Sequence, residues 1–86
     1  MLRSKIEILA DILEAAQKGA SKTRIMSKAN LNQKLAEPSI QLLTDLKLLS
    51  EKQDPLSYFT TTNGFQFLQE YRRLQKMLEE QNSKHL

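Results

Sequence analysis

The sequence predicts a mostly α-helical domain with one small β-hairpin and a long helix at its C-terminal end. Apolar residues recur at helical spacing in four segments of the chain. Two short strand-compatible runs, 48–52 and 57–61, flank a turn-rich connector at 53–56. Residues 21–49 have the pattern of two short helices around a tight turn. A hairpin that follows such a helix-turn-helix is a wing, so the predicted fold is a winged helix-turn-helix.

The first predicted helix covers residues 5–18. Ser4 and Glu7 have the spacing of a capping box, in which each residue hydrogen-bonds the backbone N–H of the other. Lys18 and Gly19 are suited to close the helix, because a cation favours the last turn and glycine tolerates a positive φ. The expected apolar face comprises Ile6, Leu9, Leu13 and Ala16, widened by Ile8 and Ile12.

The second predicted helix begins at Ser21, which is suited to cap it. Asn30 and Asn32 suit the following turn, because asparagine tolerates left-handed backbone geometry and Asn32 can cap the next helix. The residues expected to be buried are Ile25, Met26 and Ala29. The segment therefore predicts a helix-turn-helix whose second member is the third helix of the chain.

The third predicted helix contains a proline that its sequence must accommodate. Residues spaced for burial are Ala36, Ile40, Leu43 and Leu46, and those expected to point away are Gln33, Lys34, Glu37, Gln41 and Thr44. Inside a helix, Pro38 removes a hydrogen bond and costs about 3 kcal/mol. Either the helix kinks at Pro38, or it begins there, since proline is favoured at the first helical position. Both alternatives stay open at the level of sequence.

The fourth predicted helix runs to about residue 81 and is capped by Thr61 or Thr62. Asn63-Gly64 suits a second hairpin turn, but the helical spacing of the apolar residues that follow excludes one. These residues are Phe67, Tyr71, Leu74 and Leu78. They form a narrow stripe that predicts a coiled coil with a second copy; the alternative is a solvated helical tail. We therefore divide the chain into a helix-turn-helix domain, 1–61, and a dimerisation helix, 62–86.

Composition limits the classes of protein that fit this chain. Its 86 residues, of which 40% are hydrophobic and 27% charged, suit one globular domain. Cysteine is absent, and the single histidine, His85, lies next to the C-terminus. The chain has no apolar run of the ~20 residues that span a bilayer, and Glu7 and Asp11 interrupt the N-terminal pattern of a signal peptide. We expect a cytoplasmic, nucleoid-associated protein with no membrane partner.

Positive charge is concentrated in the helix-turn-helix, although the net charge is only +3. Aspartate and glutamate are absent from 15–36, a window that contains Lys18, Lys22, Arg24, Lys28 and Lys34. A helix that can enter a groove, together with cations that attract phosphates, is typical of a DNA-binding element. The candidate DNA-binding residues are Lys22, Arg24, Ser27, Lys28, Asn32, Gln33, Lys34, Gln41, Lys52 and Gln53.

These candidates have different expected roles. Lys22, Arg24 and Lys28 are expected to contact phosphates, which position a protein without reading sequence. On the third helix, Gln33 and Gln41 are suited to adenine, and Lys34 to guanine or a phosphate. The alternative is that these side chains are only the solvated face of an amphipathic helix. Lys52 and Gln53 lie near the tip of the wing, beside acidic neighbours that oppose contact with DNA.

Two motifs resemble those of small archaeal winged-helix proteins. Residues 22–32 are similar to the signature Lys-Thr-x-Ile-Met-x-Lys-Ala-x-Leu-Ser, and residues 61–71 to Thr-x-x-Gly-x-x-Phe-Leu-x-x-Tyr. The resemblance implies a DNA-binding protein that dimerises through an antiparallel coiled coil of its C-terminal helices. Family members include transcriptional regulators and abundant chromatin proteins. Two residues depart from the family: Lys47 replaces a glycine before the wing, and Pro38 interrupts the recognition helix.

We therefore predict a homodimer that binds double-stranded DNA as an archaeal transcriptional regulator. A chromatin protein of low sequence specificity and a winged-helix module for protein–protein contacts are the alternatives. The sequence contains no enzyme signature, and we expect no cofactor, metal or small-molecule ligand. The carboxylates of Glu7, Asp11 and Glu14 have the i, i+4 and i+7 spacing of a solvated helix face.

Overall fold

Four helices and one antiparallel hairpin make up the fold across residues 3–84, the part of the chain that the computed structural model describes, with side chains from 3 to 80. The elements in chain order are α1 (Lys5–Ala15), α2 (Lys22–Ala29), α3 (Gln33–Asp45), β1 (Leu49–Lys52), β2 (Ser57–Thr60) and α4 (Thr62–Lys84). The predicted winged helix-turn-helix with a long C-terminal helix is confirmed. His85 lies outside the described residues.

The core is built around α1, which contacts α2, α3, β2 and α4. Its Ile12 and Leu13 are completely buried, and every other element except β2 adds a large buried aliphatic side chain. These further side chains are Ile25, Leu43, Leu49 and Leu68. Burying each such side chain contributes roughly 1.5–3 kcal/mol. The helix-turn-helix is therefore held in place by one shared core. At the edge of this core, Met26, Phe59 and Phe67 are half-buried.

The first helix ends at Ala15, three residues before its predicted end. Ala16 caps the helix, and the Gly19 N–H donates to the carbonyl of Ala16 at 3.1 Å, so the chain turns away. Gly19 has a φ of +90°, and a side chain there would meet the ring of Phe59. The turn brings Ala20 beside Tyr58 of the hairpin, with which it exchanges two backbone hydrogen bonds. This pairing ends the helix early.

Three predicted N-caps are confirmed. Ser4 and Glu7 form the capping box, and the Ser21 hydroxyl accepts a hydrogen bond from the Arg24 N–H at 3.2 Å. The side chain of Asn32 accepts from the Leu35 N–H at 2.9 Å. Asn30 takes the left-handed conformation expected of the turn, with φ and ψ both at 54°. Because Asn32 caps α3, that helix begins at Gln33 and the alternative start at Pro38 is wrong; Pro38 lies inside the helix.

The C-terminal end of α3 corrects the predicted burial of Leu46, which is 54% exposed. The Lys47 N–H donates to the carbonyl of Thr44, and the Leu48 N–H donates to that of Leu43, which is the Schellman pattern. Lys47 adopts a φ of 65° in this turn without the conformational freedom of glycine. The chain therefore leaves the helix at Leu46, so the leucine caps α3 instead of continuing its buried face.

Threonine hydroxyls tie the hairpin to α1 and cap the start of α4. Strand pairing runs from Leu49↔Thr60 to Lys52↔Ser57. The Thr60 hydroxyl donates to the buried carbonyl of Leu13 at 2.6 Å. Thr61 is the residue that caps α4, because its hydroxyl accepts from the Gly64 N–H at 3.1 Å. The chain thus enters α4 directly, as the spacing of its apolar residues predicts.

The far part of α4 extends beyond the body of the domain. The helix has 23 residues, three more than predicted at its C-terminal end, and a length of about 35 Å. It gives the described molecule extents of 51 × 27 × 19 Å. Leu68 near its start is buried, whereas Leu78 is 67% exposed. Helix α4 therefore anchors at one end and projects at the other.

Candidate nucleic-acid interface

Helix α3 presents one face to the core and the opposite face to solvent. Ala36, Ile40 and Leu43 are buried, so the helix is held against α1 and β1. Its exposed residues are Gln33, Lys34, Leu35, Glu37, Pro38, Gln41 and Asp45. The predicted outward residues are thus exposed, except that Thr44 is half-buried and donates its hydroxyl to the Ile40 carbonyl. This outer face includes two carboxylates and two apolar side chains, those of Leu35 and Pro38, beside its polar residues.

The cations of the helix-turn-helix differ in what they contact. Arg24, Lys28 and Lys34 are exposed, and among residues 3–80 no carboxylate lies within ion-pair distance of them. Lys28 lines a surface depression that also contains Asp11 and Glu14, each already paired with an arginine. Arg24 and Lys34 are therefore the cations most available to an external anion. Ser27 is also exposed on α2.

Lys22 is paired at the surface with a carboxylate of α3. Its Nζ lies 2.7 Å from Oε1 of Glu37, which also accepts a hydrogen bond from the Gln33 amide at 3.0 Å. The hydrogen bond with Glu37 raises the pKa of Lys22, and the same contact with Lys22 lowers the pKa of Glu37. Lys22 thus ties α2 to α3. Sequence reasoning missed this pair because Glu37 lies fifteen residues from Lys22 and just outside the acid-free window.

Three of the predicted DNA-binding side chains, two of them predicted to contact bases, already have partners within the protein. Gln33 donates to Glu37, and the amide of Gln41 donates to Asp45 at 2.9 Å. The side chain of Asn32 is occupied as the cap of α3. Both glutamine pairs have the i, i+4 spacing that brings side chains together on a helix. That spacing is visible in the sequence and was the signal that could have revealed these contacts.

A groove of about 460 Å³ lies on the surface between α3 and the hairpin. It is lined by Lys22, Glu37, Pro38, Ile40, Gln41, Thr44, Glu51 and Tyr58. Two carboxylates and one lysine are its charged groups, and the lysine is already paired. The candidates Lys52 and Gln53 are exposed on the hairpin outside this groove. The groove between α3 and the hairpin is therefore acidic and unsuited to binding phosphate.

The opposite side of α3 has a different lining. A second groove lies between this side and the start of α1, and its residues are Arg3, Lys5, Ile8, Leu35, Pro38, Ser39 and Leu42. It contains two cations and no carboxylate. Arg3 also connects α1 with the helix-turn-helix turn, because its guanidinium reaches Asp11 at 2.8 Å and the carbonyls of Ala29 and Asn30. Sequence reasoning missed Arg3, since these contacts join segments far apart in the chain.

The four predicted dimerisation residues of α4 divide into two pairs. Phe67 and Tyr71 are half-buried against the core, whereas Leu74 and Leu78 are exposed. Burial of Tyr71, with smaller contributions from the negative charges of Glu7 and Asp11, raises its pKa. Leu74 and Leu78 join an apolar groove with Ser4, Ile6, Glu7, Tyr71 and Gln75. The guanidinium of Arg72 pairs with Glu14 of α1 just before this exposed part begins.

Other kinds of site receive no support from the described part of the chain. Glu7 hydrogen-bonds Ser4, Asp11 pairs with Arg3 and Glu14 pairs with Arg72, so these carboxylates have local structural contacts. Among residues 3–80 there is no group of three or more potential metal ligands. None of the helices described has both the length and the apolar character needed to span a membrane.

Comparison with known proteins identifies a family and several similar structures, two of which are given below. A family model described as winged helix-turn-helix matches residues 2–79. Sso10a-2, a DNA-binding protein from Sulfolobus solfataricus, superposes with a TM-score of 0.86 at 24% identity, covering 96% of this chain and 90% of that chain. The second is BpsR of Bordetella bronchiseptica, whose DNA binding is regulated by 6-hydroxynicotinic acid. It has a TM-score of 0.74 at 16% identity and covers 93% and 59% of the two chains. No curated protein matches the sequence.

Proposed function

Because the chain belongs to the winged helix-turn-helix family, we propose that it binds double-stranded DNA as a homodimer and regulates transcription. The observation that carries the proposal is the set of exposed cations on the two helices of the helix-turn-helix. Arg24, Lys28 and Lys34 lie there without a carboxylate partner among residues 3–80. The structural similarity to a protein described as DNA-binding is consistent with this role.

In the proposed complex, α3 enters the major groove with its N-terminal turns foremost. Lys34 lies in the first turn of that helix, so it contacts a phosphate or a base edge there. Arg24 lies in the first turn of α2 and contacts the phosphate backbone. Lys22 contributes less to phosphate binding than its sequence position suggests, because its ammonium group is paired with the Glu37 carboxylate. Each phosphate contact makes the slope of log K against log salt more negative by about 0.9.

The proposed dimer forms through the exposed stripe at the end of α4. Leu74, Met77 and Leu78 are all more than half exposed, which is unusual for three large apolar residues within five positions. An antiparallel pairing of two such helices covers them and fixes the separation of the two α3 helices. The resulting symmetry matches a near-palindromic DNA site. In this arrangement, the helix-turn-helix domain, with the first half of α4 packed on it, binds DNA, and the exposed part of α4 beyond Arg72 holds the two copies together.

Selective binding is favoured over packaging by charge alone. Glu37 and Asp45 lie on the exposed face of α3, and Glu51 lies on the hairpin. A protein that compacts DNA through nonspecific attraction gains nothing from acids on its binding face, whereas a sequence reader uses them to reject wrong approaches. The regulator is therefore the function we propose, and the chromatin role is the alternative. Selection of bound sequences from random duplexes separates the two, because a regulator yields a motif.

The decisive test compares two lysines that are both exposed on helices. Lys34→Ala removes a proposed DNA contact, and Lys76→Ala removes the same charge from the projecting part of α4. We expect Lys34→Ala to weaken binding of a labelled duplex and to make the slope of log K against log salt less negative by about 0.9 per protomer. Lys76→Ala should leave both nearly unchanged. Equal effects of the two variants, or no retardation of duplex DNA at low salt, would contradict the proposal.

A further inference from the structure

We infer that α3 reads thymine through its 5-methyl group, with Leu35 and Pro38 as the specificity-determining residues. The inference rests on the proposed function and adds the chemistry by which the helix chooses its site. Leu35 is the third residue of α3 and is 47% exposed, although it is a large apolar side chain. Pro38 follows three positions later and is also exposed, so both residues lie on one side of the helix.

The polar groups of α3 that would otherwise read bases are engaged. Gln33 is bound to Glu37 and Gln41 to Asp45, as described above. The hydroxyl of Ser39 donates to the Leu35 carbonyl at 2.8 Å. Within residues 3–80, Lys34 is the polar side chain of the first two turns that has neither a hydrogen bond nor an ion pair in the protein. Leu35 and Pro38 therefore make up most of the surface left for direct contact with bases.

The charges beside these residues complement DNA. Leu35 and Pro38 line the groove that contains Lys5 and Arg3. Arg3 is already paired with Asp11, so Lys5 is the cation of this groove that has no ion pair among residues 3–80. On the hairpin side of α3, the groove that Pro38 also borders contains Glu51, which repels phosphates, and Glu37, whose charge is paired with Lys22. DNA is thus attracted to the apolar side of α3, where Lys5 and Lys34 would contact the phosphate backbones of the DNA. Every base presents hydrogen-bond donors or acceptors in the major groove, and thymine adds an apolar methyl group at C5. That methyl is the group a leucine and a proline recognise there.

The test uses one random-sequence duplex pool made twice, once with thymidine and once with deoxyuridine, which lacks only the 5-methyl group. Binding of both pools is measured for the full chain and for Leu35→Ala. The control is Leu46→Ala, which removes a leucine of similar exposure at the cap of α3, outside this groove. Thermal denaturation of the three proteins checks that each is folded.

We expect the wild-type chain and Leu46→Ala to bind the deoxyuridine pool more weakly, by up to about fourfold, which is the factor for one methylene-sized contact. Leu35→Ala should bind both pools with nearly equal affinity. Equal affinity of the wild-type chain for the two pools would overturn the inference while leaving DNA binding intact. Undiminished sensitivity of Leu35→Ala would also overturn it. Failure to bind either pool would instead refute the proposed function, and the inference with it.

Discussion

The two halves of α4 show how one helix serves two purposes. From Thr62 to Tyr71 it packs on the domain: Leu68 is 1% exposed, and a side chain added at Gly64 would meet the Leu48 carbonyl and the Thr60 methyl group. Beyond Arg72, every residue up to position 80 is exposed, including three large apolar ones. The same helical spacing continues across the boundary. Its apolar stripe therefore belongs to the core of the chain at first and is exposed afterwards, where the proposed dimer would cover it.

The largest expected effect is on the packed half. Leu68→Ala leaves a cavity among completely buried side chains, and such changes cost about 2–5 kcal/mol of unfolding free energy. We expect a loss of about 3 kcal/mol in denaturant unfolding, independent of protein concentration, because the cavity lies within one chain. A loss below 1 kcal/mol would show that the core does not extend to this helix as described.

A smaller effect is expected on the projecting half, and it should depend on concentration. Leu78→Ala removes an apolar side chain that is 67% exposed in the single chain, so the folded monomer loses almost nothing. If the proposed dimer buries it, the dimer dissociation constant rises about tenfold or more, equivalent to at least about 1.4 kcal/mol. Sedimentation equilibrium over a range of concentrations measures this change.

The matched control for Leu78→Ala is Gln69→Ala, an exposed residue of the packed half that lies off the apolar stripe. It should leave the dissociation constant unchanged. A wild-type chain that sediments as a monomer throughout the micromolar range would contradict the proposed dimer and favour the solvated helical tail. It would not affect the prediction for Leu68, because that side chain packs within its own chain.

What the sequence could predict depended on how far apart the interacting residues lie. The caps at Ser4, Ser21 and Asn32 were predictable because the partners of each are three residues away. The Lys22–Glu37 pair was not, since it requires knowing how α2 and α3 cross. The same reason explains Arg3, whose guanidinium reaches the turn between those two helices. Local patterns therefore located the helices, while their side-chain contacts came from packing.

The candidate site followed the same rule. The charge pattern of the sequence located the site on α2 and α3, but it did not show which of the site's side chains are already bound to other residues of the protein. Leu46 shows the equivalent limit for the core: its spacing predicts burial, and a left-handed Lys47 ends the helix before that spacing takes effect. Whether a non-glycine residue adopts such a φ depends on the hydrogen bonds around it, here those made by Lys47 and Leu48.

The smallest expected effect concerns Tyr71, at the boundary between the two halves of α4. Burial raises its pKa, so the folded chain favours the neutral phenol more than the unfolded chain does. The resulting stabilisation is complete below pH about 10 and is lost as the pH rises through the folded-state pKa. We expect its phenolate absorbance, obtained by subtracting the titration of Tyr71→Phe, to have a midpoint above 10. If dimerisation buries Tyr71 further, this midpoint rises with protein concentration. A midpoint at or below 10 would mean that the Tyr71 side chain is solvated. The packed half of α4 would then end before Tyr71.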